Sequence, residues 1–233
     1  MEPTDIIVTT KDRLEHLQRT LEHIYERTRS LYRLHIIDDA SEDRTAYFLV
    51  EEFAAGRIQN LLLRGQWCGA LANNNVGWWM SFSDPVVFVD DDVLCPDVEP
   101  DWLERGVTEM KKRNKLGALA LNNPAGNPRK MRRPKGVSGN VTFCGYIGGT
   151  FMFVRRAALK GWALPHKMGI RGWPTTTRCG YIRKQGWNIG YLTDTFCQHI
   201  GADSTLRIDG RHPIPLMEPV DDKTLRPPEK WAW

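Results

Sequence analysis

Three adjacent aspartates, Asp90, Asp91 and Asp92, follow a short apolar run at residues 86–89. Neighbouring carboxylates repel one another, and at about 4 Å and an effective dielectric of about 20 each close pair costs about 4 kcal/mol. A divalent cation removes that cost. Carboxylate oxygens suit Mg²⁺ or Mn²⁺, and a diphosphate completes the coordination shell of either ion. The trio therefore predicts a metal site, with a solvated acidic turn as the alternative.

The hydrophobic pattern predicts the elements that position such polar clusters. Strands are predicted at residues 5–10, 33–37, 58–63 and 86–89, and helices at residues 13–28, 43–55 and 69–82. This βαβαβαβ order predicts an α/β fold with a mostly parallel central sheet and helices on both faces. Because ligands bind beyond the carboxyl ends of such strands, the clusters at residues 9–13, 38–43 and 90–92 are expected to converge on one crevice.

The second half of the chain is less regular. A helix at residues 102–113 and a strand at 117–121 precede residues 122–140, which are rich in proline, glycine and basic residues and are predicted to form a loop. A glycine-punctuated aromatic stretch follows at 143–154. A helix is then predicted at 175–185 and a late strand at 188–192.

Composition bounds the class of protein. With 233 residues, 41% of them hydrophobic and 26% charged, the chain is expected to fold around one sizeable core. No apolar run approaches the roughly 18–20 residues of a membrane span. The amino terminus lacks the features of a signal peptide, so a cytoplasmic protein is expected, in the host cytoplasm if it is viral. The five cysteines are scattered and predict neither disulfides nor a zinc site.

Five segments lie in a characteristic order along the chain. They are DIIVTTKDR (5–13), IIDDASEDRT (36–45), GALANNNVG (69–77), VVFVDDDVLCP (86–96) and GGTFMFVRRAAL (148–159). Together they resemble the family-two glycosyltransferases of the GT-A fold. The resemblance implies a single GT-A domain over 1–233, which moves a hexosyl or pentosyl group from a nucleotide-diphosphate sugar to a hydroxyl. Its parts are a nucleotide-sugar-binding half at about 1–95, an acceptor half at about 96–200 and an irregular tail at 201–233.

The resemblance also implies a metal and a donor. Mn²⁺ or Mg²⁺ would be bound by Asp90, Asp92 and His199, and the imidazole favours Mn²⁺. Asp92 would thereby take part in catalysis, since the metal neutralises charge that develops on the leaving diphosphate. A UDP-sugar is the favoured donor. The implied donor-binding residues are Thr9, Lys11, Arg13, Asp39, Asn73, Asp90 and Asp91.

Some of these positions have a structural alternative. For Asp39 the alternative is helix capping, although Asp43 suits that role better. For Asn73 it is hydrogen bonding within the core. The resemblance places Gly148 and Gly149 on the acceptor side, where a bulged core strand is the other interpretation. The remaining acceptor-side candidates are Arg132, Arg133 and Trp173.

One position departs from the family. Inverting members carry a catalytic acidic pair where this chain has Pro174 and Thr175, and threonine is too weak an acid to supply the base. Three explanations stay open: a base from elsewhere, a retaining reaction, or donor binding without efficient turnover. The candidate bases are Asp194, Asp203, Asp209 and His166.

The tract at 129–135 has five basic residues in seven, which suggests a polyanionic acceptor. A hydroxymethylated base in DNA, as in a viral or bacterial DNA-modifying enzyme, is one hypothesis. A polysaccharide or small-molecule acceptor is another. A non-catalytic nucleotide-sugar-binding module and a pure DNA-binding protein are the other classes of function.

Overall fold

A computed structural model describes residues 2–123, 134–160 and 174–201 of the chain, without the side chains of 174–176. Its strands are β1 Thr4–Thr10, β2 Tyr32–Asp38, β3 Asn60–Leu63, β4 Val86–Asp90, β5 Val93–Leu94, β6 Leu116–Asn122, β7 Gly136–Ser138, β8 Val141–Cys144, β9 Phe151–Val154, β10 Asn188–Phe196 and β11 Gln198–His199. Its helices are α1 Leu14–Arg27, α2 Thr45–Ala54, α3 Ala70–Met80, α4 Trp102–Lys112 and α5 Pro174–Lys184, with a 3-10 turn at Arg156–Leu159.

Nine of these strands form one sheet in the order β3-β2-β1-β4-β9-β6-β10-β8-β7. β1 pairs in parallel with β2 and β4, and β6 pairs in parallel with β10. β9 lies between β4 and β6 and is antiparallel to both. β1 is apolar at its centre, Ile6–Val8, and almost wholly buried, as expected for a central strand covered on both faces. The predicted α/β fold with a mostly parallel sheet is confirmed.

Two hydrophobic clusters lie on opposite faces of this sheet. One packs α1, α2 and α4 against alternate strand residues such as Val87 and Val89. The other packs α3 and α5 against the intervening residues, including Phe88 and Met152. The prediction of helices on both faces is therefore confirmed, and the alternation along β4 decides which face each of its side chains reaches.

One sequence interpretation differs from the structure. The predicted loop at 122–140 includes β7, which forms an antiparallel hairpin with β8 through a turn at Gly139, whose φ is 55°. The aromatic stretch at 143–154, for which the sequence pattern predicts no element, spans the end of β8 and all of β9. Glycine-rich sequence marks these turns, but it does not reveal that the strands beside them join the sheet.

Residues Met1–Ile200 form one compact unit, and Gly201–Trp233 separate from it as another. The irregular tail that the sequence predicts at 201–233 lies outside the described residues apart from Gly201 and stays a prediction. The further division of the first unit into a nucleotide-sugar half and an acceptor half stays a prediction. None of the helices in the described ranges has the length and apolar character needed to cross a bilayer.

Gly106 of α4 lies so close to β9 that a side chain has no room there. A Cβ at this position would lie 2.1 Å from Cζ of Phe153, which is fully buried. We expect Gly106→Ala to lower the free energy of unfolding by about 1–3 kcal/mol, measured by urea denaturation. Gly180→Ala on α5, where a Cβ meets nothing within 4 Å, is the control and should be neutral or slightly stabilising. Equal stability of the two variants would contradict this packing.

Candidate metal and donor site

The carboxyl ends of β1, β2 and β4 lie side by side at one edge of the sheet. Thr9 is opposite Asp90 in the β1–β4 ladder, and Thr10 is opposite Asp38 in the β1–β2 ladder. The loop after β1 also contacts the loop after β2, since the backbone N–H of Asp12 donates to Ser41 Oγ over 2.9 Å. The structure thus brings together the three polar clusters that the sequence placed at strand ends.

The side chains of Asp90, Asp92 and His199 converge at this edge. Each offers one potential ligand atom, and these atoms all lie within 4.8 Å of one another. Nε2 of His199 is 3.3 Å from Oδ1 of Asp92. The structure therefore groups the three residues that the sequence analysis names as metal ligands.

A two-stranded pairing outside the main sheet brings His199 to this position. β11 pairs antiparallel with β5, which places His199 opposite Val93. The backbone N–H of Ile200 also donates to the carbonyl oxygen of Asp92 over 2.8 Å. A histidine more than 100 residues away in sequence is thus held next to the aspartates by backbone hydrogen bonds.

Arg13 compensates part of the negative charge. Its Nη1 donates to Asp91 Oδ1 over 3.0 Å, and its Nη2 lies 2.7 Å from Asp92 Oδ2. Asp91 Oδ2 accepts a second hydrogen bond from Thr10 Oγ1 over 2.7 Å. Both oxygens of Asp91 are therefore occupied by partners from the β1–α1 connection. Asp91 is suited to hold Arg13 and the loop in place rather than to reach a donor itself.

Burial and crowding shift the protonation of two of these carboxylates, those of Asp90 and Asp91. Removal from water and repulsion from Asp92 and Asp91 raise the pKa of Asp90 to about 7. Removal from water raises the pKa of Asp91 to about 6, although the charge of Arg13 acts in the opposite direction. Without a further positive charge, the site holds its full negative charge only above neutral pH.

The residues fit a divalent cation. Two carboxylates and an imidazole are suitable ligands for Mn²⁺. The 3.3 Å between Asp92 Oδ1 and His199 Nε2 is close to the roughly 3 Å that separates adjacent ligands in an octahedral shell with bonds of about 2.1 Å. A cation here would relieve the repulsion that raises the pKa of Asp90.

Protons and Mn²⁺ should compete for this site. The folded-state pKa of Asp90 is raised above its ordinary value, so ionisation of Asp90 destabilises the metal-free protein as pH rises towards 7. Bound metal needs the ionised form. Below pH 7 the apparent dissociation constant for Mn²⁺ should therefore rise by about tenfold per pH unit. Thermal shifts with Mn²⁺ between pH 5.5 and 8.5 measure this, and a shift independent of pH would contradict it.

The loops after β1 and β2 hold two other predicted donor-binding residues. Lys11 Nζ donates to the carbonyl oxygen of Ala40 over 2.8 Å and pairs with Asp12 over 2.7 Å. The carboxylate of Asp39 accepts from the backbone N–H groups of Cys68 and Gly69, just before α3, over 2.7 and 2.8 Å. Both side chains thus tie loops together at the crevice.

Asp43 behaves as the helix-capping interpretation suggests, because its Oδ1 accepts from the backbone N–H of Thr45 at the start of α2. Asp39, which seemed less suited to capping, also fixes a helix start, that of α3. Asn73 of α3 is fully buried, and its Oδ1 accepts from Arg64 Nε over 3.1 Å. Core hydrogen bonding therefore accounts for Oδ1 of Asn73 but not for its buried Nδ2, which has no partner among the described residues, and a donor contact by Asn73 stays a prediction.

Gly148 and Gly149, which the sequence analysis predicts to lie on the acceptor side, directly precede Thr150 and β9. The backbone N–H of Asp90 donates to the carbonyl oxygen of Thr150 over 3.2 Å. This contact places the glycine pair next to the acidic trio. Arg132, Arg133 and Trp173 lie outside the described residues, as do the candidate bases His166, Asp203 and Asp209.

Asp194 of β10 is described, and its Oδ2 lies 3.6 Å from Nη1 of Arg105 on α4. It is not a member of the Asp90, Asp92 and His199 cluster. Its assignment as a base stays a prediction. At Pro174 and Thr175, where the family's acidic pair would stand, the backbone forms the first turn of α5.

Sequence reasoning missed Arg178, one turn after Thr175 on α5. Burial lowers its pKa to about 10, so the guanidinium is still charged at neutral pH. Its charge interacts with that of Asp90. A single arginine in TTTRCGYI follows no periodic pattern, and only the packing of α5 on the sheet reveals that it is buried.

The model of the family described as glycosyl transferase family 2 matches residues 5–171. The fold is similar to those of a Pyrobaculum calidifontis mannosyltransferase in complex with GDP-Man and Mn²⁺ (TM-score 0.66, 17% identity), GalNAc-T7 with UDP, GalNAc and Mn²⁺ (0.67, 11%) and S. aureus TarS in complex with UDP-GlcNAc (0.63, 13%). These matches cover 87%, 84% and 86% of this chain but only 58%, 43% and 61% of the other chains. No curated protein matches the sequence.

Proposed function

Because the chain belongs to glycosyl transferase family 2, we propose that it transfers a sugar from a nucleoside-diphosphate donor to a hydroxyl acceptor in a metal-dependent reaction. The observation that carries this proposal is the convergence of Asp90, Asp92 and His199 at the carboxyl ends of β1 and β4. In parallel sheets this edge is where nucleotides bind. The residues supply hard oxygen ligands and one imidazole at the place where a diphosphate would lie.

Each part of the site has a role in the proposed reaction. Asp90, Asp92 and His199 would hold Mn²⁺ or Mg²⁺, which when bound offsets negative charge on the departing diphosphate. Arg13 keeps Asp91 and Asp92 in place through its two ion pairs. The loops that Lys11 and Asp39 tie together, with Thr9 beside Asp90, would form the wall against which the nucleoside lies.

The nucleoside and the sugar of the donor are proposed from the ligands bound in the similar structures. The similar structures contain UDP, UDP-GlcNAc or GDP-Man, and two of the three contain Mn²⁺. We propose a UDP-sugar and Mn²⁺ as the first combination to test, with Mg²⁺ as the second. A DNA acceptor rests only on the basic tract at 129–135, whose first five residues lie outside the described ranges, and none of the comparisons names DNA.

A thermal-shift screen of nucleoside-diphosphate sugars tests the proposal. In the presence of Mn²⁺, a true donor at about a hundredfold excess over its dissociation constant should add about 2.7 kcal/mol of stability. The shift should disappear when EDTA is added. Absence of a shift with every UDP- and GDP-sugar would contradict the proposal.

A second measurement separates an enzyme from a binding module. With Mn²⁺ and no acceptor, a glycosyltransferase slowly hydrolyses its donor, whereas a module that only binds releases no free sugar. A third separates both from a DNA-binding protein. Such a protein would bind DNA without metal and with an affinity that falls steeply as salt increases.

A further inference from the structure

Arg178 is a buried cation without a carboxylate partner in the described part of the chain. Its side chain is 2% exposed. Nη2 donates to Asn74 Oδ1 over 3.2 Å, and Nη1 lies 3.6 Å from the sulfur of Met152. Nε is buried and has no hydrogen-bond partner. An unpaired buried charge lowers the stability of the fold, so a guanidinium at such a position is expected to have a function that offsets this cost.

The guanidinium of Arg178 packs against β4 next to Phe88, two residues before Asp90 in the strand. Its Cζ lies 3.8 Å from the centroid of the Phe88 ring. Side chains two residues apart on a strand point to the same face, so Phe88 and Asp90 both face α5. The guanidinium therefore lies one step along β4 from Asp90, and the two charges interact.

Two arginines act on the aspartates from different sides. Arg13 contacts Asp91 and Asp92 directly, and its charge also attracts Asp90. Within the described ranges, Asp90 forms no ion pair, and it is repelled by the two neighbouring carboxylates. Arg178 attracts Asp90 as well, more weakly than Arg13, and does so from the face of β4 that carries Phe88. Arg178 is thus the cation that attracts Asp90 towards the α5 side of the crevice.

We propose that Arg178 is a positioning residue that acts through Asp90. This inference rests on the proposed function. The buried guanidinium lies over the Phe88 ring, and its charge orients the Asp90 carboxylate on the α5 side of the crevice, where its ligand atom lies within 4.8 Å of those of Asp92 and His199. Asp90 is thereby held ready for the metal–diphosphate pair. The simpler role, a brace between α5 and α3 through Asn74, predicts no dependence on Asp90.

A double-mutant cycle in metal-free buffer tests the interaction itself. Arg178→Met should lower the urea midpoint more in the wild-type background than in the Asp90→Asn background, since its partner is absent in the latter. The matched control replaces Asp97, an exposed aspartate paired with Arg29, by asparagine, and should give no coupling to Arg178→Met. Equal losses in the Asp90 and Asp90→Asn backgrounds would overturn the inference.

A binding measurement tests the consequence for the donor site. With saturating Mn²⁺, the dissociation constant for UDP or GDP should rise by about tenfold in Arg178→Met, and Arg178→Lys should recover part of that loss. Asn74→Ala, which removes only the brace, should leave the constant within about twofold. If Arg178→Met does not fold, Arg178→Gln, which also removes the charge, takes its place in the cycle and in the binding measurement.

The binding measurement distinguishes failure of the proposed function from failure of the role of Arg178. If wild-type protein binds neither UDP nor GDP with Mn²⁺, the proposed function fails. If wild-type protein binds the nucleotide and the Arg178 variants bind it equally well, only the role of Arg178 fails.

Discussion

Replacement of Asp92 by alanine is expected to lower kcat/KM for metal-dependent donor turnover on the order of 10³-fold. Asp92 lies at the centre of the site, with one oxygen 2.7 Å from Arg13 Nη2 and the other 3.3 Å from His199 Nε2. Its loss removes a metal ligand and leaves only Asp90 and His199 of the predicted ligands to hold the cation. The rate of free sugar release from the donor with Mn²⁺ measures the effect.

The matched control for Asp92→Ala is Asp97→Ala. Asp97 follows Asp92 by five residues, but its side chain is 67% exposed and pairs with Arg29 over 3.4 Å. We expect this variant to keep wild-type turnover within about twofold, because exposed ion pairs contribute little. If Asp92→Ala kept a third or more of wild-type turnover, the metal role of the trio would be refuted.

Replacement of Arg13 by methionine is expected to have the largest effect on stability. The side chains of Arg13, Asp91 and Asp92 are 19%, 8% and 5% exposed, so the lost charge leaves two carboxylates with little access to water. Breaking such a buried pair typically costs about 3–5 kcal/mol. Urea unfolding in EDTA at pH 8 measures the loss.

Mn²⁺ should reverse much of this loss, because a cation replaces the missing positive charge. At about a hundredfold excess over its dissociation constant, bound metal returns about 2.7 kcal/mol. Arg44→Met is the control, since Arg44 is exposed at the start of α2 and should leave stability unchanged with or without metal. Equal destabilisation of Arg13→Met with and without Mn²⁺ would contradict the electrostatic account.

The amino-terminal half of the fold is predictable because its strands and helices differ in period. Leu17, Leu21 and Ile24 recur at helical spacing and are buried, and the run before Asp90 is short and apolar. The position of β9 is not predictable in this way. FMFV at 151–154 is apolar at every position, so its pattern carries no information about strand direction or about its place between β4 and β6.

Some residues of the site can also be predicted from the sequence, whereas others cannot. The acidic trio is visible in sequence because three adjacent carboxylates after a strand are chemically unusual, and the family resemblance supplied His199. The two-residue pairing that positions His199 is too short to leave a periodic signal. The ion pairs of Arg13 and the burial of Arg178 leave no sequence signal for another reason. Arg13 reaches Asp91 and Arg178 reaches Phe88 through tertiary packing between segments 78 or more residues apart.

The most direct test of the central claim is a crystal structure grown with Mn²⁺ and UDP, with anomalous scattering recorded at the manganese edge. The account predicts one strong anomalous peak within bonding distance of Asp92 and His199, about 2.1–2.2 Å, with diphosphate oxygens completing the shell. A structure in which UDP or Mn²⁺ binds elsewhere, and Asp90 and Asp92 contact only water, would contradict it.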